Sequence, residues 1–502
     1  MFARLSPFRL LAAAPDRLGN LAILAGFIFA ALLVGVVTAS GNLMLTGLVV
    51  GAVLGVLMLN AVSAVIWIIL IGTLFVSGPI LLFAPQFTRV TWLFSILGFF
   101  LTFAAIIYAG TVRNVELRPA PTFVLIAIGF AVFAISTTFF SDGGFNEGAT
   151  AIKRNMQFLG LMFAITFVPM KAKAIRSWFG LLMVLALLQV PLALYQRIVL
   201  VPLRYNMPNR VVPVDVVAGS FEASMYGGGN SVVMAFFVIV ALAAILCAYR
   251  ERLIAGFWTL LLVCIIAIPL TLGETKIVLV LVPVALFALF IDLAPKRPML
   301  FIIGSMLAAL AMAALFYVYI AIQNPDGRTL TFEQRVTENM EYNFGNAGYY
   351  DGASLNRSNV VQFWWDKNGS KDPVKTVFGH GLGASFGLPG ADAPGHLVIK
   401  YPGHGIDLTT MSALLWDVGL FGLLLYLLLF WNAWQYSRRL IKEANPGIDR
   451  AMCRTLSASV AMMSLLIIAT NVLLFAPSMQ VLIMLTFGLL AWRWRHSVRS
   501  DG

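Results

Sequence analysis

Side chains able to do chemistry are sparse in this chain, and most fall in two polar segments, about 196–230 and about 323–406. Three of the four histidines, His380, His396 and His404, share the second segment. An imidazole titrates near neutrality and can take a proton from a nucleophile. His404 stands just before an apolar run, with Asp407 three residues on. A carboxylate at that spacing orients the ring if the turn is helical, whereas Pro402, Gly403 and Gly405 favour a turn ahead of the helix. Fifteen and then seven residues separate the three histidines, with no cysteine among them, which matches no standard zinc pattern.

A set of cations accompanies them. Arg197, Arg204 and Arg210 lie in the first segment, Arg357 in the second, and Glu274 and Lys276 at the junction of two apolar runs. Guanidinium groups bind phosphate through two parallel hydrogen bonds. Ion pairing with Asp215 and Glu222 is the plainer reading of the same residues. Asp417, in LLWDVG, sits deeper, where a carboxylate is expected to be hydrogen-bonded between helices. The stretch VFGHGLGASFG places Gly379, Gly381 and Gly383 where backbone N–H groups can approach an anion or a sugar, or merely turn the chain. A nucleotide loop is excluded, because no strand–turn–helix context surrounds it.

The elements that must position these residues are membrane spans. Of 502 residues 60% are hydrophobic and 11% charged, with mean hydropathy +0.90. A soluble protein carries about 25% charged residues, so this chain could not cover a water-facing surface. Apolar runs long enough for a hydrocarbon core of about 30 Å number about fourteen, or 12 to 13 if close neighbours fuse. They fall near 21–39, 43–59, 62–83, 91–109, 121–139, 157–170, 177–195, 231–249, 254–272, 276–293, 299–322, 408–434, 455–474 and 477–494. The expected fold is therefore all-α and polytopic. Its parts are 1–322 (eleven spans with the loop 196–230), a cap over 323–406 with short helices near 328–342 and 355–366, and 407–502.

Charge sets the expected orientation. With the N-terminus cytoplasmic, the inner segments hold 20 of the 34 basic residues and seven of the 22 acidic ones, the outer segments hold 14 of each, and Asp417 lies within the membrane. That is the positive-inside pattern, and it places both termini in the cytoplasm. The net charge of +12 thus reports orientation and gives no reason to invoke nucleic acid. Cys247, Cys264 and Cys453 lie outside the polar segments, so no disulfide framework is expected.

In this order, several motifs resemble those of the O-antigen ligase and O-antigen polymerase superfamily of bacterial envelope glycosyltransferases. They are Gly219-Ser220-Phe221 with Asn230, Thr275-Lys276 opening a helix, Arg357 and Trp364 ahead of the Gly379–Gly383 turn, and His404 before Gly419-Leu420-Phe421-Gly422. Two departures stand out: Gly405 follows the histidine where the family has Asn, and Lys276 replaces an Arg. The resemblance implies a GT-C-like fold in the bacterial inner membrane with its active face periplasmic. It also implies an undecaprenyl-diphosphate-linked glycan as donor and inversion at the transferred carbon. On that basis His404, with Asp407, is the expected general base, and Arg357, Arg210, Lys276 and Arg204 the expected diphosphate ligands. His380, Glu274 and Asp417 are held in reserve, and neither a metal nor a cofactor is expected. A polymerase acting on a second lipid-linked glycan, with a chain-length regulator as a further candidate partner, is favoured over a ligase acting on lipid A–core. A transporter or lipid-linked-sugar flippase is the rival from another class.

Overall fold

The computed structural model describes residues 58–111, 117–139, 141–205, 207, 212–226, 229–273, 276–299, 301–306, 310, 333, 334, 337, 355–387 and 394–497. Among these residues there is no strand, as the apolar runs predict. Those from Ile66 onward belong to one compact unit.

Six helical stretches are long and apolar enough to cross a membrane, which makes this a multi-pass membrane protein. They are α1 (Val62–Phe83), the stretch Pro85–Thr111 that contains α2 (Trp92–Thr111), and Ala172–Tyr205, which begins as α6. The others are α7 (Ser231–Arg250), α13 (Thr410–Glu443) and α14 (Ile448–Ala469). Shorter apolar helices stand with them: α3 (Thr122–Thr138), α8 (Gly256–Leu272) and α9 (Val278–Phe290). The last run forms α15 (Pro477–Arg495). The polar parts supply α4 (Gly144–Met156), α10 (Asn359–Lys367), α11 (Pro373–Phe378) and α12 (His396–Lys400).

Two expectations change. The run 157–170 yields only α5 (Leu159–Phe167), nine residues and about 14 Å at 1.5 Å each, roughly half a bilayer core. It is buried between α2 and α15 instead of spanning alone. The segment 196–230 does not begin as a loop, because α6 (Ala172–Tyr195) continues through the π turn Gln196–Leu200 to Tyr205. Arg197 and Arg204 therefore sit on a helical extension. The span expected at 21–39 and nearly all of that at 43–59 lie outside the described residues, as do most of 299–322 and most of the helix expected at 328–342.

Close crossings depend on missing side chains. A Cβ on Gly98 of α2 would fall 2.0 Å from the Gln157 carbonyl oxygen, and one on Gly160 of α5 2.2 Å from that of Gly98. Small residues let membrane helices approach backbone to backbone. Phe103, Ile106, Val132 and Leu260 are exposed on the bundle, as lipid-facing side chains should be.

The connecting segments sort to two ends. At one end Arg118 pairs with Glu443 (2.9 Å), Arg176 and Arg493 with Asp449 (3.5 and 3.7 Å), Arg454 with Glu251, and Arg438 with Asp292. Every one of these residues lies in the inner, basic segments of the charge pattern. The opposite end gathers 141–157, the loop 212–230, and the described parts of 355–406 and 470–478.

Candidate functional site

At that second end lies a cavity of about 460 Å³. Its wall includes Lys153, Arg154, Gln157, Glu222, Asn230 and Asn471. Thr150, Lys153, Arg154 and Gln157 line it together because spacings of three, four and seven residues share one helical face. The Arg154 guanidinium lies 3.1 Å from the Phe386 ring centroid and donates to no described residue. Lys153 places Nζ 3.4 Å from the Trp92 ring centroid. Burial lowers the Arg154 pKa to about 10, against the pull of Asp417, Asp407 and Glu147. The group is still a full cation at neutral pH. A desolvated guanidinium on an aromatic face, with its donors open to a cavity, is suited to an anion.

Beneath it a polar chain satisfies the membrane-depth groups, as hydrocarbon surroundings require. Ser95 donates to Gln157 Oε1 (2.6 Å), Gln157 Nε2 to Gln480 Oε1 (3.0 Å), and Gln480 Nε2 to the Arg154 carbonyl (2.9 Å).

Glu222 faces the same cavity, carried there by the Gly219-Ser220-Phe221 motif. The Gly219 N–H donates to Gln196 Oε1 (2.7 Å), the Ser220 N–H to Gln189 Oε1 (2.8 Å), and Phe221 is fully buried against Phe237. Gly78 lets the loop approach α1, since a Cβ there would meet the Ser220 carbonyl oxygen at 2.0 Å. Emerging from this anchor, Glu222 adopts φ 52°, an unusual conformation for a side-chain-bearing residue. Its carboxylate accepts from the Asn230 amide and from the Ser478 N–H (3.4 Å). Burial nevertheless pushes its pKa up to about 7, a value matched to proton transfer at neutral pH.

The residues singled out from sequence are distributed otherwise. His404 precedes α13 by a turn; the helix begins at Thr410 under a capping box made by Thr409 and Ser412. The His404 ring stacks on Phe363 (5.2 Å between centroids), its Nδ1 donates to the Pro402 carbonyl (3.0 Å), and it does not line the cavity. Asp407 does not orient that ring. Its carboxylate accepts the Gly387 N–H (3.1 Å), because the chain is a turn here and not helix, and burial raises its pKa. Arg357 donates through Nε to the Ala469 carbonyl (2.7 Å), closing the end of α14. Arg204 is almost wholly buried, with Asp215 as its electrostatic neighbour and the Ser224 carbonyl 3.4 Å from Nη1. Lys276 is exposed where α9 begins, and Arg210 and Glu274 lie outside the described residues. None of the described ones among these residues lines the cavity.

The glycine stretch and Asp417 form one device. Asp417 is buried and accepts the N–H groups of Gly383 (2.8 Å) and Ser385 (2.9 Å), while its carbonyl accepts that of Gly381 (2.9 Å). Gly419 breaks α13 with φ 67°, and a Cβ there would lie 2.4 Å from the Val377 carbonyl oxygen. Gly379, at φ 77°, would likewise meet the Asp417 carbonyl at 2.4 Å. The turn therefore clasps a broken helix. His380 is held within it: Nε2 bonds Asn368 Oδ1 (2.8 Å), and burial, with Lys375 in support, lowers its pKa to about 4, which makes it a weak base.

Lys153, Arg154 and Glu222 were not singled out by sequence. The first two lie in what reads as a short polar link between apolar runs. Their signal was the helical spacing of Thr150, Lys153, Arg154 and Gln157 beside a second face of Glu147 and Ala151.

Fold and site together define an all-helical, multi-pass membrane protein with a polar, cation-bearing cavity at one end. No protein-family model matches the chain, and neither does any curated protein.

Proposed function

We propose that this protein is a membrane glycosyltransferase that takes a glycan from a polyprenyl diphosphate of the undecaprenyl type and adds it to an acceptor sugar hydroxyl. The reading rests on the resemblance to the O-antigen polymerase and ligase superfamily. One observation supports it above the others: Arg154, undonated and desolvated, shares a membrane-end cavity with Glu222, whose carboxyl titrates near 7. In this account Arg154 and Lys153 bind the diphosphate. Glu222, and not His404, accepts the proton from the acceptor hydroxyl. The hydroxyl oxygen attacks the anomeric carbon from the face opposite the diphosphate, the carbon–oxygen bond to phosphate breaks, and the electron pair leaves on the diphosphate. Inversion follows from that in-line geometry. Cations held in a dry site stabilise the departing charge more than they would in water.

The end bearing the cavity would face the periplasm of the inner membrane, opposite the basic loops. A polymerase, with a second lipid-linked glycan as acceptor, is the preferred form. Deleting the gene and examining the surface glycan tests this directly. Lipid A–core carrying a single repeat, or loss of a secreted polysaccharide, is the expected result. Long polymer accumulating on its lipid carrier would point to a ligase, and a glycan pattern identical to the parent strain would contradict both.

A further inference from the structure

Two of the three loop histidines converge in space although their sequence spacing suggests nothing. One ligand atom from each of Asp142, His380 and His396 lies within 4.8 Å of the others. They come from three parts of the chain: the approach to α4, the glycine turn, and the first residue of α12. No local zinc pattern marks the site, because the third ligand stands more than two hundred residues away in the chain.

The hydrogen bonds around the rings make this more than proximity. The Asn368 amide donates through Nδ2 to the Trp364 carbonyl (3.2 Å), which turns Oδ1 toward His380. That oxygen can only accept, so His380 Nε2 carries the hydrogen and Nδ1 keeps its lone pair. Glu147 acts alike on the second ring: Oε1 accepts from His396 Nδ1 (2.9 Å) and Oε2 from the His396 N–H (2.9 Å). In the neutral imidazole His396 Nε2 is left with a lone pair; that atom is buried and has no hydrogen-bond partner. A carboxylate or carbonyl behind each imidazole is the arrangement that orients metal-ligating histidines. Asp142 is exposed and meets Lys375 through Oδ2 at 3.4 Å, so its other oxygen is available.

We propose that Asp142, His380 and His396 bind one divalent first-row transition ion, with Zn²⁺ the best-fitting candidate. Two imidazoles and a carboxylate make a three-ligand set that leaves a coordination position for water. The ion pins the glycine turn and α12 to the start of α4, the helix that carries Lys153 and Arg154 further along. Its role is to hold that wall in place, and the site stands whether or not the protein transfers glycans.

The test uses the full chain purified in detergent without a histidine tag, stripped with chelator and desalted. Co²⁺ is titrated with visible absorption as readout, Zn²⁺ with metal analysis and the thermal midpoint. One equivalent per chain is expected, with intense visible bands for Co²⁺ and a higher midpoint with Zn²⁺. Asp142→Asn, at an exposed position where folding is not at stake, should weaken binding at least tenfold. His380→Ala with His396→Ala should remove it. Lys375→Ala, which deletes a competing cation, should tighten it. Less than a tenth of an equivalent on the parent chain, or equal binding by the parent and Asp142→Asn, overturns the proposal.

Discussion

At the scale of single residues, the account turns on Glu222 and Arg154. A carboxyl whose pKa stands at about 7, against an ordinary 4.5, loses its proton in the range where activity is measured. If it must accept a proton, kcat/KM rises with pH and levels off above about 7. Glu222→Gln should lower the rate by a hundredfold or more and abolish that limb, as a pH–rate profile will show. The same shift acts on stability with a fixed sign. Because the folded pKa is raised, the folded chain holds this proton where the unfolded chain has released it, so the contribution is lost as pH rises from about 4.5 to about 7. The thermal midpoint should fall across that window, and fall less in Glu222→Gln. Arg154→Ala should act mainly on the donor, raising its KM about tenfold or more. Arg154→Lys should restore only part, since one ammonium replaces a planar fork.

At the scale of elements, the glycine turn and the break in α13 support each other. Gly419→Ala puts a Cβ 2.4 Å from a backbone oxygen at a φ of 67°. A backbone at φ 67° and ψ −169° alone costs of order 1–3 kcal/mol for an L side chain, and the clash adds to it. A clear drop in thermal midpoint is expected. Gly180→Ala in α6, where a Cβ meets nothing within 4 Å, should be neutral or stabilising by about 0.5–1 kcal/mol. Equal effects of the two would contradict the clasp. Asp417→Ala should orphan the Gly383 and Ser385 N–H groups, at about 1–3 kcal/mol for each buried donor. These elements also show what the sequence could and could not reveal. Gly379, Gly381, Gly383, Asp417 and Gly419 are all visible as unusual residues, yet that they touch one another is a tertiary fact. Periodicity finds long apolar helices such as α7 and α14 because each carries its own signal. It does not find the cavity, whose walls come from α1, the stretch that contains α2, the chain at 150–158, Glu222 and Asn230, and the chain near 471–477. Nor does it reveal that His404 hydrogen-bonds its own turn. The Gly219-Ser220-Phe221 motif was legible as a motif, but its physical part, lifting Glu222 to the cavity, depends on Gln189 and Gln196 of a different helix.

At the largest scale, the unit from Ile66 onward is a bundle with two chemically distinct ends. One is closed by Arg–carboxylate pairs from segments as distant as Arg118 and Glu443, or Arg454 and Glu251. The other carries the cavity, the glycine clasp and the His380–His396 pair. In a cysteine-free background, Cys placed at exposed Ser370 should react with a membrane-impermeant maleimide applied to spheroplasts, whereas Cys at Arg439 should react only after lysis. The opposite pattern would invert the proposed orientation and move the cavity to the cytoplasm. The most direct test of the central claim is transfer by the purified protein in lipid vesicles, supplied with an undecaprenyl-diphosphate oligosaccharide and followed by mass spectrometry. The account predicts products longer by whole repeats, release of undecaprenyl diphosphate, and loss of both in Glu222→Gln and Arg154→Ala. Lipid-linked donor that crosses the bilayer without any glycosidic bond formed, or undiminished product from both variants, would contradict it.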